Sequence, residues 1–84
     1  MRIEGRVQGV GFRYLARDRA RSLGVDGWVR NERDGTVAAE LEGPRELVES
    51  MLDWCRRGPS GASIDDVAVV WHEPSGASGF EIRW

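Results

Sequence analysis

An α+β sandwich is the fold class predicted by this sequence of 84 residues. Three observations carry the prediction. Short stretches alternate apolar and polar residues, as strands with one buried face do. Two longer stretches repeat their apolar residues at helical spacing. The order of these stretches is β-α-β-β-α-β, followed by one more short strand.

The first strand covers Arg2 to Val7, with Ile3, Gly5 and Val7 facing one way and Arg2, Glu4 and Arg6 the other. A glycine-rich loop follows. Phe12, Leu15, Ala16, Ala20 and Leu23 then share a helical face, and Gly24 is placed to end that helix in a left-handed conformation. Val25 to Glu32 is the second strand, with Val25, Gly27, Val29 and Asn31 on one side. Asp34-Gly35 supplies the chemistry of a hairpin turn. Thr36 to Glu42 returns with Val37, Ala39 and Leu41 inward. Gly43-Pro44 opens a second helix, whose stripe of Leu47, Val48, Met51, Leu52, Trp54 and Cys55 runs to Arg57 before Gly58-Pro59 stops it. Ser60 to Ser63 is a connection in which Asp65-Asp66, just beyond, reads as the entry turn of the next strand. Ile64 to His72 is the fourth strand, with Val67, Val69 and Trp71 on one face. Phe80, Ile82 and Trp84 alternate in the last.

This is the split βαβ order of ferredoxin-like sandwiches, two helices covering one face of an antiparallel sheet, in a single domain spanning 1–84. In that order strands one and two run parallel with strand three between them. Their C-terminal ends meet the same edge of the sheet, roughly 10 Å apart. The glycine loop follows strand one and Asn31 lies near the end of strand two, so Arg13 and Asn31 become neighbours across that gap.

The loop, Gly5-Arg-Val-Gln-Gly-Val-Gly-Phe-Arg13, ends at the start of a helix. Glycines permit positive φ and close approach of a ligand. The N–H groups of a helix start point outward with the positive end of the dipole behind them, which suits a phosphate. Arg13 adds a rigid cationic fork. The same residues also make a plain strand-to-helix turn, and taken alone they support either reading. Arg13 is always charged and cannot be a base, and Asn31 gains or loses no proton near neutrality. The pair suits positioning: Arg13 and the loop amides holding phosphoryl oxygens, Asn31 holding a water in line with the bond to be broken. Without a base or a general acid nearby, the substrate needs a good leaving group, such as the carboxylate of a mixed carboxylic–phosphoric anhydride.

Composition narrows the classes. The net charge of −2 lacks the footprint of a general nucleic-acid binder. The lone cysteine, Cys55, allows no internal disulfide and no multi-cysteine metal site, and His72 is the only histidine. Both read as packing or surface residues. No apolar run reaches membrane-spanning length, so a cytoplasmic monomer acting on a small molecule, without cofactor, metal, nucleic acid or membrane, is expected.

The loop, taken with Gly27-Trp-Val-Arg-Asn31, resembles the two signatures of the acylphosphatase family. Asp34-Gly-Thr-Val37, Glu42-Gly-Pro44 and Gly79-Phe-Glu-Ile82 extend the resemblance over nearly the whole chain. It implies a ferredoxin-like fold and metal-free hydrolysis of acyl phosphates to carboxylate and phosphate. It assigns phosphate binding to Arg13 and to the backbone of Gln8, Gly9, Val10, Gly11 and Phe12, and water positioning to Asn31. Only Met1 to Glu4 precede the first glycine, fewer residues than is usual in the family, so the first strand should be short.

Two other readings compete. Ferredoxin-like sandwiches also bind RNA on exposed sheet aromatics, and Gly11-Phe-Arg-Tyr14 faintly matches an RNA-binding signature, though on a loop and helix start. An acylphosphatase-like domain can also serve a larger carbamoyl-transferring maturation enzyme. The dinucleotide fingerprint and the P-loop both fail on spacing and on the missing Gly-Lys-Ser/Thr.

Overall fold

Alternation and helical spacing resolve into seven elements: β1 (Arg2–Arg6), α1 (Phe12–Leu23), β2 (Asp26–Asn31), β3 (Val37–Glu42), α2 (Arg45–Arg57), β4 (Ser63–Ala68) and β5 (Phe80–Arg83). The computed structural model describes residues 1–71 and 73–83. His72 and Trp84, expected in the last two strands, lie outside the described residues.

The strands form one sheet in the order β4-β1-β3-β2-β5. β3 is antiparallel to both β1 and β2, so those two run parallel with β3 between them, as the element order requires. β5 pairs in parallel with β2, which makes the sheet mixed rather than wholly antiparallel. The inward faces read from the alternation are buried: Ile3, Val7, Val25, Val29, Val37, Ala39 and Phe80 meet Phe12, Ala16 and Ala20 of α1 and Met51 and Cys55 of α2. Leu15 is an exception. It sits at the margin of the α1 stripe and is 42% exposed, because α1 buries only the narrow row Phe12, Ala16, Ala20.

β4 is shorter than the alternation predicts, and its partner explains why. The β1–β4 pairing ends at Ala68 and Arg2. Met1 bonds to Ala39 on the other side, its ammonium donating to Ala39 O and its carbonyl accepting from Ala39 N–H. Past the pair of Ala68 and Arg2, Val69 to Trp71 leave the sheet, and Val70 and Trp71 are exposed. Asp65-Asp66 lie inside β4 rather than in its entry turn. Glu4 pairs with Asp66 and Gly5 with Ile64, so Asp65 is the extra residue of a bulge. That bulge explains Gly5. Its φ is +133°, and a Cβ there would collide with the carbonyl oxygen of Ser63.

Candidate active site

The edge where β1 and β2 both end carries the glycine loop. Gly9 and Gly11 each have φ +76°, the left-handed conformation that residues with a Cβ avoid. A Cβ at either position would meet no chain atom within 4 Å. Both glycines therefore serve backbone direction and leave the space in front of the loop open. Gly11 is the N-cap of α1, and no side chain caps the helix. The helix ladder begins with Leu15 N–H donating to Gly11 O at 3.1 Å. N–H groups of a first turn lack an intrahelical acceptor, and no acidic residue in this turn competes for them.

Phe12 anchors this turn. Its side chain is 1% exposed and its ring packs on Trp54 of α2, centroids 5.6 Å apart. Truncating a buried Phe costs about 3–5 kcal/mol, so the helix start is tied firmly to the core. Gly24, left-handed at φ +80°, closes the other end of α1 as expected, its N–H directed at the carbonyls of Ala20 and Arg21.

A pocket of about 150 Å³ opens in front of the turn. Val7, Gly9, Gly11, Phe12 and Arg13 line it from the loop and helix, and Asn31 lines it from the end of β2. Strand order thus brings Arg13 and Asn31 to one cavity. Arg13 is half-buried, with its guanidinium carbon 6.0 Å from the centroid of the Tyr14 ring. Asn31 Oδ1 is buried, and no donor among the described residues reaches it. A buried acceptor left unmatched costs about 1–3 kcal/mol, so such atoms point to a ligand or water site.

Five of the seven residues expected at the site line the pocket: Gly9, Gly11, Phe12, Arg13 and Asn31. Val10 turns instead to pack partly buried on the core. Gln8 also lies outside the lining, and its side chain has a different task. Nε2 donates to Glu32 O at 2.7 Å and to Thr36 O at 2.9 Å, across the mouth of the β2–β3 hairpin. β1 pairs with β3 only through Arg2 and Ile3, and the Gln8 amide bridges to the hairpin beyond the point where that ladder stops. The hairpin is itself braced by Asp34, whose carboxylate accepts from Thr36 N–H and Oγ1–H at 3.0 and 2.6 Å; those bonds hold its pKa below the usual value. Tyr14 is the pocket residue that sequence reasoning missed. Its signal was available: it falls two residues from Phe12, off the buried face of α1, directly after the arginine.

Trp28 is half-buried, with the guanidinium carbons of Arg30 and Arg83 each 4.9 Å from its ring centroid. Phe12, in the segment that faintly matches an RNA-binding signature, is in the core.

Comparison with known proteins agrees with this architecture. The model of the acylphosphatase family matches residues 1–82. An acylphosphatase of Trichormus variabilis is 54% identical over 81 residues, covering 96% of this chain and 80% of the relative. One from Thermococcus kodakarensis is 52% identical over 82 residues, covering 98% and 90%. The crystal structure of acylphosphatase from Bacillus subtilis superposes with a TM-score of 0.94 at 33% identity, covering 99% of this chain and 93% of that one. The chain belongs to the acylphosphatase family, hydrolases that split acyl phosphates.

Proposed function

We propose that Arg13 and the amides of the loop from Gln8 to Phe12 hold the phosphoryl group of the acyl phosphate, and that Asn31 delivers the water that attacks it. The observation that carries this reading is that Asn31 and Arg13 line one pocket, with the carboxamide oxygen of Asn31 unmatched among the described residues. A water donating one hydrogen to Oδ1 keeps a lone pair directed at phosphorus. Its oxygen bonds to phosphorus as the bond to the acyl oxygen breaks, and the carboxylate leaves with that electron pair. The water's proton passes to a phosphoryl oxygen, because no carboxylate, imidazole or thiol among the described residues lines the pocket. Charge redistributing over the phosphoryl oxygens meets the Arg13 fork and the loop dipoles already in position. A carboxylate is a good leaving group, so no general acid is required.

The lining residues also offer nothing that binds a divalent cation well, which favours a metal-free reaction. The test is hydrolysis of acetyl phosphate in the presence of excess chelator. Turnover should be unaffected; dependence on added divalent metal would overturn the mechanism. We further infer that residues 1–84 act as one acylphosphatase-like domain and as a monomer, since one chain supplies both Arg13 and Asn31. The cytoplasm suits the buried free thiol of Cys55. No helix among the described residues is long and apolar enough to cross a membrane.

A further inference from the structure

Tyr14 stands at the pocket without any part in holding the phosphoryl group or the water. It lines the cavity beside Arg13, yet its side chain is 46% exposed. The other apolar side chains of the lining, Val7 and Phe12, are each 1% exposed and belong to the core. Tyr14 is therefore the one large apolar side chain that reaches both the pocket and the solvent among the described lining residues. The core does not need it, because α1 buries Phe12, Ala16 and Ala20. The guanidinium carbons of Arg13 and Arg17 stand 6.0 and 5.5 Å from the Tyr14 ring centroid, at the outer range of a cation–π contact, and leave the ring 46% exposed. Arg17 is one turn along the helix, on the same side as Tyr14.

In-line displacement sets the direction of the leaving group. Water and leaving oxygen stand on opposite sides of phosphorus. With the water on Asn31 at the β2 side, the acyl group must leave the pocket on the α1 side, where Tyr14 stands. We propose that the Tyr14 ring is the platform for the acyl group, and that it selects aromatic acyl phosphates over small aliphatic ones. The proposal rests on the acyl phosphate reading above. Stacking of two aromatic rings adds about 0.5–1.5 kcal/mol beyond area burial, up to roughly tenfold in selectivity.

The experiment measures kcat/KM for benzoyl phosphate and acetyl phosphate, and inhibition by inorganic phosphate, in the wild type, Tyr14→Ala, Tyr14→Phe and Leu15→Ala. Leu15 is as exposed as Tyr14 but does not line the pocket. Tyr14→Ala should lower the benzoyl-to-acetyl ratio about tenfold while phosphate inhibition keeps its strength. Tyr14→Phe and Leu15→Ala should both keep the wild-type ratio. An unchanged ratio in Tyr14→Ala overturns the platform. So does an equal fall for both substrates together with weakened phosphate inhibition, which would mean that Tyr14 only steadies Arg13. A wild type that hydrolyses neither compound overturns the acyl phosphate reading itself, and the platform with it.

Discussion

The side-chain amide of Gln8 reaches across the sheet edge to the backbone carbonyl of Glu32, 2.7 Å away and 24 residues on. Glu32 directly follows Asn31, so this bond ties the glycine loop to the strand end that carries the asparagine. The second hydrogen goes to Thr36 O, on the opposite arm of the hairpin. One carboxamide thus sets the spacing of the two halves of the site. Gln8→Ala removes both bonds and should cost about 1–3 kcal/mol of stability in urea unfolding, with a fall in kcat as the two halves drift. Gln8→Glu should be worse at neutral pH, because an ionised carboxylate would face two carbonyl oxygens with no proton to donate. If Gln8→Glu were as stable as the wild type, the amide would not be the tie.

Arg13 acts through shape as well as charge. A lysine keeps the charge but loses the planar fork that grips two oxygens together. Arg13→Lys should lower kcat/KM for acetyl phosphate by about tenfold to a hundredfold, the worth of one charge-assisted hydrogen bond. Arg13→Ala should abolish inhibition by inorganic phosphate. Near-normal turnover in Arg13→Lys would contradict the bidentate role.

Asn31 should separate catalysis from binding and from stability. Asn31→Ala removes the water-holding oxygen, and kcat should fall by about a hundredfold, as when one positioned polar group is lost from an active site. Phosphate inhibition should change little. Unfolding free energy should hold or rise, because no donor among the described residues is lost with Asn31 Oδ1. Equal losses of turnover and phosphate affinity would mean that Asn31 grips the substrate.

Cys55 is a core residue, 1% exposed, and burial raises its thiol pKa to about 12. The thiolate needed for reaction is absent at neutral pH. Thiol reagents should therefore label the folded protein only as fast as it unfolds. Because the folded pKa lies above the unfolded one, the stability this thiol contributes is full below about pH 9 and is lost as pH rises toward about 12. Unfolding measured across that window should show a decline of up to about 1.4 kcal/mol per pH unit that Cys55→Ala lacks.

The glycine turn and the arginine beside it were legible because glycines at positive φ and an uncapped helix start are local signals. The place of Asn31 across the same sheet edge came from the order of the elements along the chain. The sequence also showed which side of β1, β2 and β3 would be buried, since alternation has a period of two. It did not show the length of β4. Val69 to Trp71 alternate as a strand should, but a strand needs a neighbour to pair with, and the β1–β4 pairing ends at Arg2 and Ala68.

What the amino-acid order determined by itself was the fold class, the loop, and the meeting of Arg13 with Asn31 at one sheet edge. Tertiary structure decided where loop side chains point, because a loop has no periodicity to read. It turned Gln8 away from the pocket and onto the hairpin, sent Val10 toward the core, and left Tyr14 at the pocket mouth. It also decided that Asn31 Oδ1 would be buried without a donor among the described residues, since that depends on how closely the loop and β2 approach across the gap.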